Sequence, residues 1–454
     1  MPPRPRAAAS VWPLVALFTA GYLAAYLLPT TVARLGESLR LAPTQAGLMG
    51  STLLLASASA GFALASRVER IGATRLARAG LLLMLIGYGT AAATTTVPLV
   101  LLGAALGGIG SGTATTVAAA SIAAQRDPHR SSALGLLSVS ATAGALYLTI
   151  PHLGGGHRTP FLALAGIAVL AWPAAGRLRT SHHTTTPATA PRTPLPYLRA
   201  GLALAGAIAL WSLAQNSLWG VSSRIGLDQA GLSEVTTGAV FAAGLGAGLL
   251  GVTAATALGA RLGRALPIGA GTAVIAACIA LAASAHDLAS FATGEIAWNA
   301  IYPVVLSYLI GLAASLDPRG RWAVLVGSAS SLGTACGPVT GSTLAAHAGY
   351  PAMGQILCVL LLLLAVPMTA VALHTAGRPL VPGAVRRRGG APAALLAATT
   401  GATPGTVPQL GAPEQQVAEI EVSALPPRPL RIRTTRARNR TPTQPKSYAS
   451  TSAK

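Results

Sequence analysis

Glu295 is the only one of the chain's 11 acidic residues that lies inside a long apolar stretch. A charge at the centre of a bilayer costs about 2.5–3.5 kcal/mol on insertion scales, so an acid in such a place usually has a function. A buried carboxyl can take up and release a proton, or it can bind a cationic group of a ligand. The alternative is that Glu295, near one end of its stretch, simply reaches water.

Aromatic and amide side chains recur on helical faces in the same kind of stretch. Trp298, Asn299 and Tyr302 follow Glu295 at spacings that place all four on one stripe of a helix. Comparable stripes in two other stretches are formed by Thr19, Tyr22 and Tyr26, and by Trp211, Gln215, Asn216 and Trp219. These stripes are candidates for lining a solute cavity. Alternatively, Trp and Tyr mark the lipid interface, which suits Trp12 best.

The motifs of enzymes and of ATP-driven pumps are missing from the sequence. The eight histidines form no H-E-x-x-H pattern, and there is no G-x-x-x-x-G-K-[ST] loop for ATP. Cys278, Cys336 and Cys358 lie in apolar stretches without metal-ligand spacing, which predicts a packing role. His182-His183 is a weak metal candidate, and solvated chain is the simpler interpretation. We therefore expect no enzyme, no cofactor and no metal.

The elements that must position these residues are predicted to be membrane-spanning helices. Hydrophobic residues make up 52% of the chain and charged residues only 9%, whereas soluble proteins average about 25% charged. A helix needs about 20 apolar residues to cross the bilayer, and no strand alternation indicates a barrel. The twelve predicted spans cover roughly residues 11–33, 43–65, 79–96, 98–124, 131–152, 160–177, 200–220, 235–258, 266–285, 289–314, 320–345 and 351–376.

Internal repetition divides the twelve predicted spans into two sets of six. Glu69-Arg70-Ile71-Gly72 recurs as Ala260-Arg261-Leu262-Gly263, 191 positions later, and Asp127-Pro128 recurs as Asp317-Pro318, 190 positions later. Two different segments that recur at nearly the same spacing along the chain indicate a duplicated membrane transporter. The predicted organisation is an N-terminal segment 1–10, six-helix bundles at 11–177 and 199–376, a linker at 178–198 and a tail at 377–454.

Arginine distribution predicts the orientation of the spans. With the N-terminus inside, the inside segments before the tail hold sixteen arginines, and the outside segments hold four. This bias predicts a multi-pass protein of the inner (plasma) membrane with both termini cytoplasmic, so the net charge of +21 does not indicate nucleic-acid binding. The basic tail 377–454 is predicted to be disordered, and contact with anionic lipid is the alternative.

Twelve spans in two halves, with a charged loop after the second span, resemble the major facilitator superfamily. The loop motif of that family is G-x-x-x-D-R-x-G-R-R. Residues 65–74 keep Arg70 and Gly72, with Ala65 for the first glycine and Glu69 for the aspartate. The resemblance covers about residues 11–376 and implies an all-α membrane protein of twelve transmembrane helices in two six-helix repeats.

The resemblance also implies a conformational role for this loop and its repeat, which we call the latch loops. Their residues are Glu69, Arg70, Gly72 and Arg75 in the first copy and Arg261, Gly263 and Arg264 in the second. Gly72 permits a tight reversal. Glu69 is expected to dock near the cytoplasmic start of span eleven and latch the outward-facing state, since a helix N-terminus attracts an anion by roughly 0.3–1 kcal/mol. The alternative is a loop kept charged only for topology.

Two motifs of the proton-coupled antiporters in this family are incomplete. Span four contains Gly108-Ile109-Gly110, but Ala104 stands where the family has a buried arginine. In span five Gly144 is followed by Ala145, and a Gly-Pro pair, Gly337-Pro338, occurs instead in span eleven. These departures argue against proton antiport, although Glu295 remains a candidate for proton coupling.

The resemblance places spans one, four, seven and ten around a central cavity, and three of them carry the stripes described above. We therefore expect a secondary transporter that moves a small, partly apolar organic solute by alternating access. We favour efflux, with uptake of a neutral solute or a non-transporting membrane sensor as alternatives. The expected partners are the small-molecule substrate, membrane lipid and, as a candidate, protons. We expect no nucleic acid and a monomer.

Overall fold

The computed structural model describes residues 11–125, 127–178, 194–259, 262–317 and 320–376, and these residues form helices joined by short turns. No strand occurs in these ranges. The predicted N-terminal segment, most of the linker and the tail lie outside the described residues, as does Arg261 of the second latch loop.

The first half of the chain begins its helices at prolines. Proline lies in the first turn of five of them, where its missing N–H removes no helical hydrogen bond. The helices of this half are α1 (Trp12–Tyr26), α2 (Leu28–Ser38), α3 (Pro43–Leu64), a 3₁₀ turn (Ala65–Arg67), α4 (Val68–Ile71), α5 (Ala73–Ala93), α6 (Val97–Ala123), α7 (Pro128–Leu153) and α8 (Arg158–Ala175).

The second half relies more on polar N-caps. Ser233 caps one helix by accepting a hydrogen bond from Thr236 N, and Asp287 caps another by accepting from Ser290 N. The helices of this half are α9 (Leu198–Arg224), a π-helical turn (Ile225–Gln229), α10 (Glu234–Leu258), α11 (Ala265–Ala283), α12 (Leu288–Leu316) and α13 (Arg321–Ala376).

These helices make twelve membrane spans. Ten helices of the described chain are long and apolar enough to cross a bilayer, and α1 and α2 together form one more span with a bend of 50°. The 56-residue α13 is two helices that meet at Gly349, where φ is 79°. Dividing α13 there gives twelve, so the predicted count and the all-helical class are confirmed.

The predicted start of span three was wrong. The helix runs over Ala73–Ala93 rather than 79–96. Gly72, with φ of 99°, ends α4 and precedes α5 directly. The turn is therefore only one residue long, and Arg75 and Arg78 belong to the first turns of the helix rather than to a loop.

Spans one and seven extend further than predicted, both at the same side of the molecule. Span one was expected to end near residue 33 but continues to Ser38 after its bend. Span seven was expected to end near residue 220 but continues to Arg224, and a π-helical turn extends it to Gln229. These last turns contain polar residues, so a count of apolar residues placed the ends of both spans too early.

Several glycines lie at close contacts between helices. Gly103 and Gly107 of α6 face Gly87 of α5, and a Cβ added to Gly103 would lie 2.6 Å from Gly87 O. Gly112 faces the backbone of Ser57 on α3. Small residues let these helices approach closely, as is typical of membrane bundles.

Consecutive spans alternate in direction, so the turns fall on two faces. Among the described residues, the arginine-rich face carries residues 65–73, 124–125, 127–129, 176–178, 194–197, 259, 262–264, 317 and 320. The opposite face carries residues 39–42, 94–96, 154–157, 230–233 and 284–287 together with Gly349.

The two halves contact each other in the part of the bundle nearer the opposite face. Pro338 of α13 packs against Gly50 of α3 and Gly220 of α9. Val339 N donates a hydrogen bond to Ser51 Oγ at 2.9 Å. Gly337-Pro338, singled out in the sequence, therefore lies at the contact between the halves.

Candidate functional site

A cleft lies between the two halves, near the middle of the helices that surround it. The first half contributes α1, α3 and α6, and the second contributes α13. Its polar lining residues are Tyr22, Ser57, Ser111, Thr115, Ser331 and Thr334, and the others are small or apolar. Among the described residues, none that lines the cleft carries a charge.

Hydroxyl groups in this cleft keep acceptor capacity for a bound molecule. Thr115 Oγ1 donates to the carbonyl of Ser111 at 2.8 Å, and Ser111 Oγ lies 2.7 Å from the Tyr88 hydroxyl. Thr334 Oγ1 accepts from Asn216 Nδ2 at 3.2 Å. A hydroxyl oxygen has two lone pairs besides its single hydrogen, so this wall suits an uncharged solute that carries hydrogen-bond donors.

Of the ten cavity residues predicted from the sequence, Tyr22 alone belongs to this lining. The prediction favoured aromatic and amide side chains and passed over small hydroxyl residues. A signal was present, because Ser111 and Thr115 are four residues apart and Ser331 and Thr334 are three apart. Both spacings place the two side chains on one helical face.

Four of the other nine predicted residues meet in a buried group that we call the aromatic cluster. Its members are Trp211, Trp219, Phe241, Phe291, Trp298 and Tyr302. Trp211 stacks on Tyr302 with ring centroids 5.2 Å apart and planes 11° apart. Trp298 lies 5.7 Å from Trp219. Such pairs contribute about 0.5–1.5 kcal/mol beyond the burial of their area, and they hold α9, α10 and α12 together.

Hydrogen bonds support this cluster within the second half and link it to the first half. Trp298 Nε1 donates to Gln215 Oε1 at 2.8 Å. Asn299 Nδ2 donates to the carbonyl of Glu295 at 2.9 Å. Trp219 Nε1 donates to the carbonyl of Ala25 at 3.2 Å, a contact between the two halves.

The predicted residues of span one do not form a single wall. Thr19 Oγ1 donates to Ser138 Oγ of α7 at 2.8 Å, inside the first half. Tyr26 is buried, and its carbonyl accepts a hydrogen bond from the Tyr147 hydroxyl. Tyr22 is thus the member of this stripe that faces the cleft.

Several polar atoms of the predicted residues lack a partner among the residues that the structure describes. They are Trp211 Nε1, Asn216 Oδ1, Tyr302 Oη and Glu295 Oε2. A buried polar group without a hydrogen bond costs about 1–3 kcal/mol, so each calls for a reason, such as water or a ligand. Their concentration in one region supports a binding or coupling role for it.

Glu295 is completely buried, at 0% exposure. The interpretation that it simply reaches water therefore does not describe this conformation. Its Oε1 lies 2.5 Å from Ser222 Oγ, and Ser222 Oγ also lies 3.0 Å from the carbonyl of Leu218. A hydroxyl has one hydrogen, so both contacts form together only when the carboxyl is protonated and donates to Ser222. The cost of burying an unpaired carboxylate favours the same neutral form.

An ion pair joins the halves at the opposite face. Arg34, only 4% exposed, places Nη2 2.7 Å from Glu234 Oε2. The same guanidinium donates to the carbonyls of Ile150 at 3.0 Å and Gly154 at 2.8 Å. The sequence had marked Arg34 only as one of four outside arginines, and no local motif indicated its partners.

The latch loops lie on the arginine-rich face. Gly72 adopts the positive φ that a tight reversal requires, as predicted. Glu69, Arg70 and Arg75 are exposed, and Glu69 makes no ion pair with another described residue. The latch role of these residues stays a prediction.

The second latch loop is partly described. Gly263 has φ of 67°. Arg264 Nη1 donates to Ser315 Oγ at 2.6 Å and so ties this loop to the end of α12, within the second half.

Comparisons with known proteins agree with this architecture. A family model described as Major Facilitator Superfamily matches residues 14–318. A comparison with curated proteins finds no match. Among solved structures, the crystal structure of the human organic anion transporter MFSD10 (TETRAN) is similar, with a TM-score of 0.56 and 15% identity over 79% of this chain and 98% of that chain. The matched family model spans well over half of the 454 residues, and the chain therefore belongs to the Major Facilitator Superfamily of membrane transporters.

Proposed function

We propose that this protein moves a small, uncharged organic solute across the inner membrane by alternating access. The observation that supports this most is the cleft between two six-helix halves that contact each other nearer the opposite face. Rocking of one half against the other would expose this cleft to the two sides in turn.

The positive-inside rule supports a cytoplasmic position for the arginine-rich face. On that assignment, the described contacts between the halves lie toward the outside in this conformation. We favour efflux, because a cleft without charged lining suits a metabolite or drug-like compound. Uptake of a neutral solute is the rival. A cleft lined by hydroxyl groups supports transport over a sensor role.

The lining supports an uncharged substrate rather than an ionic one. The similar human protein is named as an organic anion transporter. Here the cleft is lined by hydroxyl groups and small apolar side chains, and an anion would lack a cationic partner there. The aromatic cluster lies deeper in the second half and can add apolar contact when the halves move.

We further propose that Glu295 couples transport to protons. It is protonated while it is buried beside Ser222, and it releases its proton when a changed conformation admits water. The buried arginine of the family's proton antiporters is replaced by Ala104, so coupling in this chain would depend on Glu295 instead.

A matched pair of substitutions tests the cleft. Ala58 lines the cleft, whereas Ser59 on the same helix is exposed and outside the lining. In membrane vesicles screened with a panel of neutral and charged organic solutes, Ala58→Phe should abolish the transport of any substrate found, and Ser59→Phe should leave it nearly unchanged. Equal transport by both variants would place the substrate path elsewhere.

A second substitution tests the coupling. Glu295→Gln keeps the shape of the protonated side chain and cannot release a proton. Transport by this variant should lose its dependence on the pH gradient while exchange of substrate continues. An unchanged pH dependence would remove Glu295 from any proton role.

A further inference from the structure

We infer that a second cavity, beneath the Arg34–Glu234 ion pair, holds the water through which protons reach Glu295 from the opposite face. This inference rests on the proposed proton role of Glu295. It adds to that role the place of the water, the face from which protons enter, and a residue, Thr237, that positions the water.

The second cavity lies between the halves and has room for roughly one water molecule. Thr30 and Arg34 from α2, Tyr147 from α7, Ser223 from α9, and Glu234 and Thr237 from α10 contribute its polar lining. It is separate from the hydroxyl-lined cleft, because no residue lines both.

Two buried polar atoms of this lining have no partner among the described residues. They are Arg34 Nε and Thr237 Oγ1, on side chains that are 4% and 2% exposed. A buried water typically makes about three hydrogen bonds to groups of this kind. The donor Arg34 Nε and the hydroxyl of Thr237 are complementary to water, and the ion pair leaves no net charge that would attract a solute ion.

The cavity adjoins the surroundings of Glu295. Ser223 of the lining follows Ser222, the residue bonded to the Glu295 carboxyl. A Cβ on Gly226 would lie 2.9 Å from Thr237 Oγ1 and 3.1 Å from Phe291 Cζ, so Thr237 and Phe291 meet at this glycine. Phe291 precedes Glu295 by one helical turn on the same face of α12. The lining of the water site and the surroundings of the carboxyl thus share neighbouring residues.

Proton transfer at this site needs no reactant other than water. A hydronium ion in the cavity gives its proton to the carboxylate of Glu295, which leaves water and the neutral acid, and the reverse step returns the proton. The other titratable side chains near Glu295 are Tyr147 and Cys278, and residues of these types do not titrate below about pH 8 in reference peptides. The charged and titratable groups on this side are Arg34, Glu37, His157, Arg224, Asp228 and Glu234. We assign the exchanged proton to Glu295 because its carboxyl is bonded to Ser222, the neighbour of Ser223 in the cavity lining, and Glu295→Gln tests this assignment.

The test follows tryptophan fluorescence of the purified full-length protein in detergent after a rapid pH step, since Trp298 and Trp219 lie beside Glu295. Thr237→Val should slow the fluorescence change about tenfold, the size expected for loss of one buried hydrogen bond to water. Thr253→Val, the same change on an exposed part of the same helix, should leave the rate unaltered. Equal rates for the two variants would overturn the inference.

A reversible lock tests the direction. Ser51→Cys with Val339→Cys, in a chain whose three native cysteines are replaced, places a disulfide across the contact between the halves nearer the opposite face. Oxidation should suppress the fluorescence change, and reduction should restore it. An unchanged rate in the oxidised protein would show that protons enter from the arginine-rich face and would overturn the inference.

Glu295→Gln separates this inference from the proposed function. Loss of the fluorescence change in this variant, with a wild-type rate in Thr237→Val, would leave the proton role intact and refute the route. Persistence of the change in Glu295→Gln would refute the proton role and the route together.

Discussion

At the scale of single residues, the contact between Glu295 and Ser222 is the observation on which the proposed proton role depends. The carboxyl is fully buried beside the Ser222 hydroxyl, which also lies 3.0 Å from the carbonyl of Leu218, and a protonated carboxyl would satisfy both contacts. The sequence identified Glu295 because it was the one acid in an apolar stretch. It could not identify Ser222, because that contact depends on how α9 and α12 are rotated about their axes.

The first prediction concerns this hydrogen bond. Ser222→Ala leaves both oxygens of the buried carboxyl without a partner, which should destabilise the protein by about 1–3 kcal/mol. Ser217→Ala on the same helix removes a hydroxyl that bonds only to the carbonyl of Leu213, and it should change stability much less. Thermal unfolding of the two detergent-purified variants measures the difference. Equal shifts in Tm would contradict the account of Glu295.

The second prediction concerns the cap of α12. Asp287 accepts a hydrogen bond from Ser290 N at 2.9 Å, and this bond lowers the pKa of the exposed carboxyl below its ordinary value. A group whose folded-state pKa is depressed stabilises the protein above its unfolded-state pKa, and that contribution is lost as pH falls through the folded-state value.

Acidification from about pH 5 to about pH 3, which brackets the reference pKa of aspartate, should therefore lower the Tm of the wild type more than that of Asp287→Asn. Asparagine caps a helix about as well as aspartate but does not titrate. Identical Tm–pH curves for the two proteins would show that the capping hydrogen bond, and not the charge of Asp287, determines this stability.

At the scale of helices, glycine and proline determine how closely the halves approach. Gly47 and Gly50 on α3 lie against Pro338 and Ser342 of α13, and a Cβ on Gly47 would lie 2.6 Å from Pro338 O. Real Cβ atoms do not come this close, so a methyl group there must separate the two helices.

The third prediction follows from this contact. Gly47→Ala should open the opposite face and increase the labelling rate of a cysteine introduced at Thr237 by a membrane-impermeant thiol reagent. Gly246→Ala, a helical glycine with open space around it, is the matched control and should not alter that rate. Slower or unchanged labelling in Gly47→Ala would mean that this contact does not close the opposite face.

The helices themselves were largely predictable from the sequence. Apolar length and alternating arginines sufficed for the number of spans, and the repeated Asp127 and Asp317 precede helices in equivalent positions of the two halves. Boundaries failed where charged or hydroxyl residues continue a helix, as at Arg75 in α5 and at Ser222 to Arg224 in α9. A prediction from composition assigns such residues to loops, whereas packing against neighbouring helices keeps them helical.

At the scale of the whole molecule, the cleft and the second cavity lie in series between the halves. The hydroxyl-lined cleft is formed by α1, α3, α6 and α13, and the second cavity lies beneath Arg34 and Glu234 nearer the opposite face. Neither was predictable from one sequence, because each depends on which helices of the two halves meet. In the function we propose, solute binding belongs to one level of the bundle and proton entry to another.

The most direct test of this account is a pair of distances measured by spin labels in a chain without native cysteines. One pair joins Arg40 to Val235 on the opposite face, and the other joins Ser66 to Ala257 on the arginine-rich face, all at exposed positions. On introducing Gly47→Ala, the account predicts a longer first distance and a shorter second distance, as alternating access requires. Lengthening at both faces, or no change at either, would contradict it.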